Sequence, residues 1–228
     1  MIADNLARVH ARIASACARA GRPVQSVTLL VVSKTWAAAA VREAVAAGEA
    51  RFGENYVQEG LEKIELLADL RGALEWHLIG PLQSNKTRLV AERFDWVHCV
   101  DRVRTAERLS AQRPPHLPPL SVCLQVNISG EASKAGLAPA DTAAAALAVA
   151  ALPRLALRGL MAIPEPAGDF EAQRRPHRAL RLLLENLRRE GLELDTLSMG
   201  MSADLEAAIA EGATMVRIGS AVFGERAR

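Results

Sequence analysis

The sequence is poor in aromatic residues and in lysine. Aromatic side chains make up 4% of its 228 residues, so the core has to be built from Ala, Val, Leu and Ile. Only four of its 28 basic residues are lysines, namely Lys34, Lys63, Lys86 and Lys134. Because a lysine can form a Schiff base and an arginine cannot, each of the four lysines is a candidate for covalent chemistry at a functional site.

Other absences exclude whole classes of protein. A net charge of +2 provides no basic field for binding nucleic acid. The three cysteines (Cys17, Cys99 and Cys123) lie far apart without a CxxC motif, which argues against a disulfide framework and a zinc site. No apolar run reaches about 18 residues, and the charged N-terminus is unlike a signal peptide. We therefore expect a cytoplasmic protein that does not cross a membrane and holds no metal.

Along the chain, segments with the hydrophobic spacing of a helix alternate with short apolar runs typical of buried strands. Apolar side chains spaced three and four apart predict an amphipathic helix over 2–20. Short β-branched and apolar runs then predict eight strands, over 27–34, 50–54, 75–79, 96–100, 121–127, 157–163, 194–198 and 214–218. Helices are predicted between them, over 37–47, 58–70, 86–93, 103–112, 139–152, 169–190 and 202–211.

Strand–helix alternation is typical of a parallel sheet in the α/β class. Eight such units in about 200 residues are the number found in a (β/α)8 barrel. We therefore predict a TIM barrel with an extra N-terminal helix, forming a single domain over residues 1–228. The rival is a doubly wound open sheet, which is disfavoured because no GxGxxG motif follows the first strand.

In barrels of this kind the functional site lies at the carboxyl ends of the strands. Lys34 ends the first predicted strand after a run of apolar residues. It is either an ordinary solvated lysine or a partly desolvated amine with a lowered pKa that can attack an aldehyde. The scarcity of lysine in this chain favours the second interpretation modestly, and both stay open at this point.

The loops after strands seven and eight are rich in small residues. They contain Ser198-Met199-Gly200-Met201-Ser202 and Gly219-Ser220, whose backbone N–H groups can approach an anion. Such loops form the usual phosphate cup of this fold, although two ordinary turns would look the same. A lysine that captures an aldehyde beside a phosphate cup suits pyridoxal 5′-phosphate (PLP). It would also suit a Schiff-base aldolase that acts on a sugar phosphate.

Four further residues at strand ends are candidates for the site. Arg217, inside the last strand, either pairs with an internal acid or donates to a ring atom of a ligand. His77 in the third strand is either a core histidine or a ligand contact. Asn55 and Met161 stand at the ends of the second and sixth strands.

Longer segments make a resemblance to a known family specific. These are VVSKT at 31–35, RFGENYVQE at 51–59, WHLIGPLQSNK at 76–86, VNISGEASKAG at 126–136, GLMAI at 159–163, and SMGMSADLEAAIAEGATMVRIGSAVFG at 198–224. Over nearly its whole length the chain resembles the pyridoxal phosphate homeostasis proteins. Two positions differ from the usual family pattern: Trp36, followed by four alanines, and Pro176-His177. Both are expected to lie outside the phosphate cup.

The resemblance implies a fold similar to the barrel domain of bacterial alanine racemases. It implies an internal lysine aldimine on Lys34 and places the remaining cofactor contacts on Asn55, His77, Ser198, Met199, Arg217, Gly219 and Ser220. Of these, Ser198, Met199, Gly219 and Ser220 would hold the phosphate, and Arg217 would face the pyridine nitrogen. We add Met161 and Gly200 to the predicted binding set. Family members act as carriers or regulators of the cofactor, without established turnover.

Racemisation would need a base on each face of a planar carbanion. Lys34 could serve one face, whereas Tyr56, the only tyrosine, belongs to the loop after strand two. Four residues follow Gly224, so we expect no second domain to supply another base. An arginine at the pyridine nitrogen also makes the ring a weak electron sink. We therefore predict a non-catalytic PLP carrier, with a slow amino-acid racemase as the alternative.

A carrier needs a route for releasing its cargo, and apo PLP-dependent enzymes are the expected recipients. Lys134 follows the fifth strand, on the same rim of the barrel as Lys34. It is either a solvated loop lysine near Glu131 or a second amine that binds the cofactor transiently and assists its transfer. We expect a monomer, with weak dimerisation as the alternative.

Overall fold

Eight parallel strands close into a barrel in the computed structural model, which describes residues 1–130 and 135–224. Each strand pairs with the next one along the chain, and β8 pairs with β1 to complete the ring. The (β/α)8 fold is thus confirmed, and an open doubly wound sheet is excluded because the sheet has no free edge.

The strands and helices alternate as predicted. The strands are β1 (Thr28–Val32), β2 (Arg51–Glu54), β3 (Glu75–Leu78), β4 (Trp96–Val100), β5 (Leu120–Gln125), β6 (Leu155–Met161), β7 (Thr196–Ser198) and β8 (Met215–Ile218). The helices are α1 (Ile2–Arg19), α2 (Ala38–Ala46), α3 (Val57–Leu66), α4 (Thr87–Arg93), α5 (Val103–Gln112), α6 (Thr142–Ala150), α7 (Phe170–Arg189), α8 (Leu205–Ala210) and α9 (Ser220–Phe223). Over the described ranges, no helix combines the length and apolarity needed to span a bilayer.

The apolar core has two compartments. The larger one lies between the barrel and its helices, where α1 buries its predicted stripe of Leu6, Val9, Ile13 and Cys17. The smaller one lies inside the barrel and consists of Leu30, Val32, Ile79 and Met215. The strands also bury polar side chains, among them His77, His98, Ser198 and Arg217.

Candidate functional site

A cleft of about 380 Å³ opens among the loops at the carboxyl ends of the strands. Its wall contains Lys34, the residue predicted to carry the chemistry. The complete lining is Val32, Lys34, Trp36, Asn55, Ile79, Ile163, Met201, Ser202, Ala203, Arg217, Gly219, Ser220 and Gly224. The cleft therefore brings together Lys34, Asn55, Arg217, Gly219 and Ser220 from the predicted set.

Lys34 stands on a tight turn just beyond β1. Ser33 is buried, Lys34 is half-buried, and the Trp36 N–H donates to the Ser33 carbonyl at 3.0 Å. Thr35, between Lys34 and Trp36, has a φ of 68°, a left-handed conformation that is unusual for a β-branched residue. Such a backbone persists only when the surrounding structure holds it.

An ion cluster of the buried Glu54 and Lys63 with the partly exposed Glu59, here called the clamp, holds this turn from both sides. The Lys63 ammonium donates to the Ser33 carbonyl at 2.6 Å and to Glu54 and Glu59, each at 2.7 Å. The Thr35 N–H donates to Glu59, and the Ser33 hydroxyl donates to Glu54 at 2.6 Å. Burial raises the pKa of Glu54, while the nearby Lys63 ammonium opposes that rise. The clamp therefore fixes the backbone immediately before and after Lys34.

Arg217 reaches the cleft from inside the barrel. One guanidinium nitrogen, Nη1, donates to the Ser198 carbonyl at 2.5 Å and to the Ser198 hydroxyl at 2.8 Å, and Nη2 donates to the Ala162 carbonyl at 2.8 Å. Burial lowers the pKa of Arg217 to about 10, which leaves it charged at neutral pH. Within the described part of the chain it forms no ion pair with a carboxylate, so the first of its two interpretations, a pair with an internal acid, is not observed. Its contact with a ring atom of a ligand stays a prediction.

His77 lies deep in the barrel rather than at the cleft. It is fully buried, with Nε2 3.0 Å from a Glu75 carboxylate oxygen and Nδ1 2.9 Å from His98 Nε2. His98 Nδ1 in turn lies 2.8 Å from the Ser198 hydroxyl, which accepts from Arg217. These five residues (Glu75, His77, His98, Ser198 and Arg217) are here called the interior chain. Three hydrogen bonds thus separate His77 from Arg217, and a direct contact of His77 with the cofactor stays a prediction.

Four other predicted contacts are buried in the barrel wall: Met161, Ser198, Met199 and Gly200. The Met199 N–H donates to the Met215 carbonyl at 3.1 Å, so this amide is already used by the sheet. The Ser198 hydroxyl is likewise engaged within the interior chain. Direct cofactor contacts by these four residues stay predictions, and Lys134 lies outside the described residues.

The sequence reasoning missed several residues that line the cleft. Trp36 belongs to its wall and stacks on Phe223 of α9, with ring centroids 5.4 Å apart. Met201 and Ser202 line the cleft on the loop after β7; they belong to the loop predicted to bind phosphate but not to the predicted binding set. No sequence signal separates them from Ser198 and Met199, because which part of a loop turns toward a cavity depends on its backbone path.

The second position that differs from the family pattern, Pro176-His177, is connected to the cleft through Asp204. His177 is fully buried on α7, and its Nε2 lies 2.9 Å from Asp204. The other Asp204 oxygen accepts from the Met201 N–H at 2.7 Å. Trp36 and His177 therefore both support cleft loops, and their expected place outside the phosphate cup stays a prediction.

Closure of the barrel places the predicted phosphate cup beside the lysine. β1 pairs with β8, so the turn after Ile218 lies next to the turn after Val32. A Cβ at Gly219 would approach the Val32 carbonyl oxygen to 3.0 Å, closer than is usual. The first hydrogen bond of α9 runs from the Val222 N–H to the Gly219 carbonyl, so the N–H groups of Ser220 and Ala221 precede it. An amine, the turn predicted to hold the phosphate and a buried cation thus share one cleft.

This combination of fold and site defines a class of protein. The family model described as "Alanine racemase, N-terminal domain" matches residues 5–227. An alanine racemase from Corynebacterium glutamicum shares the barrel at a TM-score of 0.70 and 19% identity, covering 100% of this chain and 61% of that one. At that identity the likeness concerns the fold alone.

Much more similar relatives narrow the class. The pyridoxal phosphate homeostasis protein of Pseudomonas aeruginosa is 63% identical over 225 residues, which cover 99% of this chain and 96% of that protein. The protein of the same name from Escherichia coli K12 is 55% identical over 226 residues, or 99% and 97% of the two chains. PipY of Synechococcus elongatus, solved with PLP bound, is 40% identical with a TM-score of 0.85, covering 98% of this chain and 100% of that one. The chain belongs to the family of pyridoxal phosphate homeostasis proteins.

Proposed function

We propose that this protein binds PLP covalently through Lys34 and serves as an intracellular PLP carrier in cofactor homeostasis. The observation that carries the proposal is the cleft itself, where Lys34, the Gly219–Ser220 turn and Arg217 meet. The names of the Pseudomonas and Escherichia relatives and the PLP-bound form of PipY support the same conclusion.

The residues of the cleft fit this cofactor. When bound, PLP supplies an aldehyde that condenses with a lysine amine with loss of one water, and a phosphate that accepts N–H donors. Lys34 provides the amine on a turn that the clamp holds rigid. The Gly219–Ser220 turn provides backbone donors, and Arg217 provides a fixed positive charge. Because a guanidinium only donates hydrogen bonds and does not readily give up its proton, it orients an unprotonated ring nitrogen as an acceptor without protonating it.

The arrangement favours binding over turnover. A racemase would need a second base opposite Lys34, and Tyr56, the only tyrosine, is 61% exposed at the start of α3. Arg217, permanently charged, keeps the ring a poor acceptor of electrons. We therefore assign no catalytic residue, and delivery to apo PLP-dependent enzymes is the proposed role.

Reduction of the PLP-loaded protein with borohydride tests the site. We expect mass spectrometry to find the pyridoxyl adduct on the peptide that contains Lys34. Lys34→Ala should lose the adduct but keep weak, non-covalent PLP binding, because the phosphate donors are independent of the lysine. Lys86→Ala is the matched control and should keep the adduct. An adduct at the cleft that persists in Lys34→Ala would contradict the assignment.

Two further assays separate a carrier from an enzyme. The loaded protein, mixed with an apo PLP-dependent enzyme, should restore that enzyme's activity. Incubation with each L-amino acid should leave its chirality unchanged. Accumulation of D-amino acid that requires Lys34 would instead favour the slow racemase.

A further inference from the structure

The interior chain crosses the barrel from one opening to the other. Glu75 is the first residue of β3 and lies at the amino-terminal opening, where its side chain is 39% exposed. Arg217 lines the cleft at the carboxyl-terminal opening. His77, His98 and Ser198 connect them and are each fully buried, through contacts of 2.8–3.0 Å. A carboxylate on the far side of the barrel is therefore connected to the cation in the cleft.

The direction of every hydrogen bond in this chain follows from its two ends. The bond to His77, with a smaller contribution from the Arg51 guanidinium 3.1 Å away, holds the pKa of Glu75 at about 2, so the carboxylate is ionised and can only accept. His77 must then carry its proton on Nε2. Burial lowers the pKa of His77, so its imidazole is neutral and Nδ1 is an acceptor.

The same argument continues to the cleft. His98 donates from Nε2 to His77, and since burial lowers its pKa well below the usual value, its Nδ1 has no proton. Nδ1 therefore accepts from the Ser198 hydroxyl. Ser198 has then given away its only proton and presents lone pairs alone to Arg217, which has only donors. All the bonds point from the guanidinium toward Glu75.

We propose that Glu75, at the opposite opening of the barrel, is a positioning residue for Arg217 in the cofactor cleft. It acts by fixing the orientation of the two buried histidines and of the Ser198 hydroxyl. An acceptor-only group at position 75 permits one direction of hydrogen bonding. An amide there could also donate to His77, which would reverse both histidine tautomers and turn a His98 N–H toward Ser198. Ser198 would then accept from both that N–H and Arg217, and its own proton would lose its acceptor on His98 and have to turn elsewhere.

The consequence for the cofactor rests on the proposed function, because it requires the pyridine ring to face Arg217. The direction of the hydrogen bonds in the interior chain does not rest on the proposed function. The experiment therefore has one arm without PLP and one arm with it, so that failure of the two ideas can be told apart.

The first arm is ¹⁵N-resolved NMR of the histidine side chains in the full-length protein without PLP. We expect His77 and His98 to be neutral and protonated on Nε2. Glu75→Gln should give a mixture of tautomers, and Glu75→Asp, which keeps an acceptor-only group, should restore the single form. A charged ring or an Nδ1–H tautomer in the wild-type protein overturns the proposal without any variant.

The second arm measures the absorption spectrum and affinity of bound PLP. Glu75→Gln should shift the absorption maximum and weaken binding about fivefold, the effect of one disturbed hydrogen bond. Asp195→Asn is the matched control. Asp195 lines the same opening and pairs with Arg158, outside the interior chain. Equal spectra for wild type and Glu75→Gln, or an equal shift in Asp195→Asn, overturn the proposal. A wild-type protein that binds no PLP contradicts the proposed function, and the first arm still decides the orientation.

Discussion

Lys63 shows how a single buried charge can serve a neighbouring functional group. Its side chain is 5% exposed, and it donates to two carboxylates and to the carbonyl of Ser33, next to Lys34. Because breaking a buried ion pair leaves an uncompensated charge, the removal of Lys63 affects the fold and the turn that presents Lys34 together.

We expect Lys63→Met to lower the free energy of unfolding by about 3–5 kcal/mol, since Glu54 then stays buried without its ammonium partner. Urea denaturation measures this loss. Lys86→Met, which removes a partly exposed lysine of the same chain, should stay within about 0.5 kcal/mol of the wild type. Similar losses in the two variants would show that the clamp does not stabilise the turn.

The carboxylate of Glu75 gives a pH dependence with a defined sign. Its hydrogen bond to His77 lowers the folded-state pKa from 4.5 to about 2. The stabilisation is therefore fully present above pH 4.5, where the unfolded chain is also ionised, and is lost as the pH falls toward 2. At pH 7 we expect Glu75→Gln to cost about 1 kcal/mol, because a side chain that is 39% exposed is partly screened by solvent.

Chemical denaturation of both proteins between pH 3 and 8, in buffers spaced by about one pH unit, checks this. The difference between wild type and Glu75→Gln should shrink below pH 4.5. A difference that stays constant down to pH 3 would place the effect elsewhere than in the charge of Glu75.

At the residue level the sequence predicted part of the site and missed part of it. Lys34, Asn55, Arg217, Gly219 and Ser220 could be found because each stands at or beside the carboxyl end of a strand, where a barrel builds its site. The partners of His77 could not be found. They depend on which side chains of neighbouring strands meet inside the barrel, and His98 offered no signal beyond alternation in an apolar strand.

At the scale of elements, two loops of the cleft are held together by a close backbone contact. Gly80 follows β3 and lies against Asn55, which follows β2. A Cβ at Gly80 would fall 2.3 Å from the Asn55 carbonyl oxygen and 2.7 Å from its Cα. Only a residue without a side chain lets the two loops approach this closely.

We expect Gly80→Ala to lower stability by about 1–3 kcal/mol and to weaken PLP binding, because Asn55 must move out of the cleft wall. Thermal unfolding and PLP titration measure the two effects. Gly72→Ala is the control, since a Cβ there meets nothing within 4 Å. Unchanged PLP affinity in Gly80→Ala would show that the position of Asn55 is not critical for the cleft.

Element boundaries differ from prediction where loops compete with regular structure. The helix predicted over 202–211 begins only at Leu205, because Asp204 bonds back to the Met201 N–H and keeps the preceding residues in a turn. The strand predicted over 27–34 ends at Val32, because the turn around Thr35 begins at Ser33. In both cases the local deviation builds the cleft, and apolar periodicity carries no information about it.

At the scale of the whole molecule, the N-terminal helix α1 supports from outside the segments next to the predicted phosphate cup. Asn5 donates to the Val222 carbonyl of α9 at 2.7 Å, and Arg12 donates to the Ser202 carbonyl at 3.0 Å and to Glu206 of α8. The apolar stripe of α1 was predictable from its spacing of three and four. Its polar contacts with the last two helices were not, because they join segments about 200 positions apart in sequence.

The stack of Trp36 on Phe223 holds a fluorescent side chain in the cleft wall, so tryptophan emission can report the occupancy of the cleft. Of its three indoles, Trp76 is fully buried beside Phe52, Trp96 lies at the amino-terminal opening, and Trp36 stands in the cleft wall. A conjugated pyridine aldehyde absorbs light where tryptophan emits, so occupancy of the cleft should quench Trp36 most strongly. Titration with PLP should therefore quench the wild-type emission far more than that of Trp36→Phe. Equal quenching in the two proteins would place the chromophore away from this wall. Unequal quenching would let the emission difference measure cofactor occupancy continuously, without a label or a coupled enzyme.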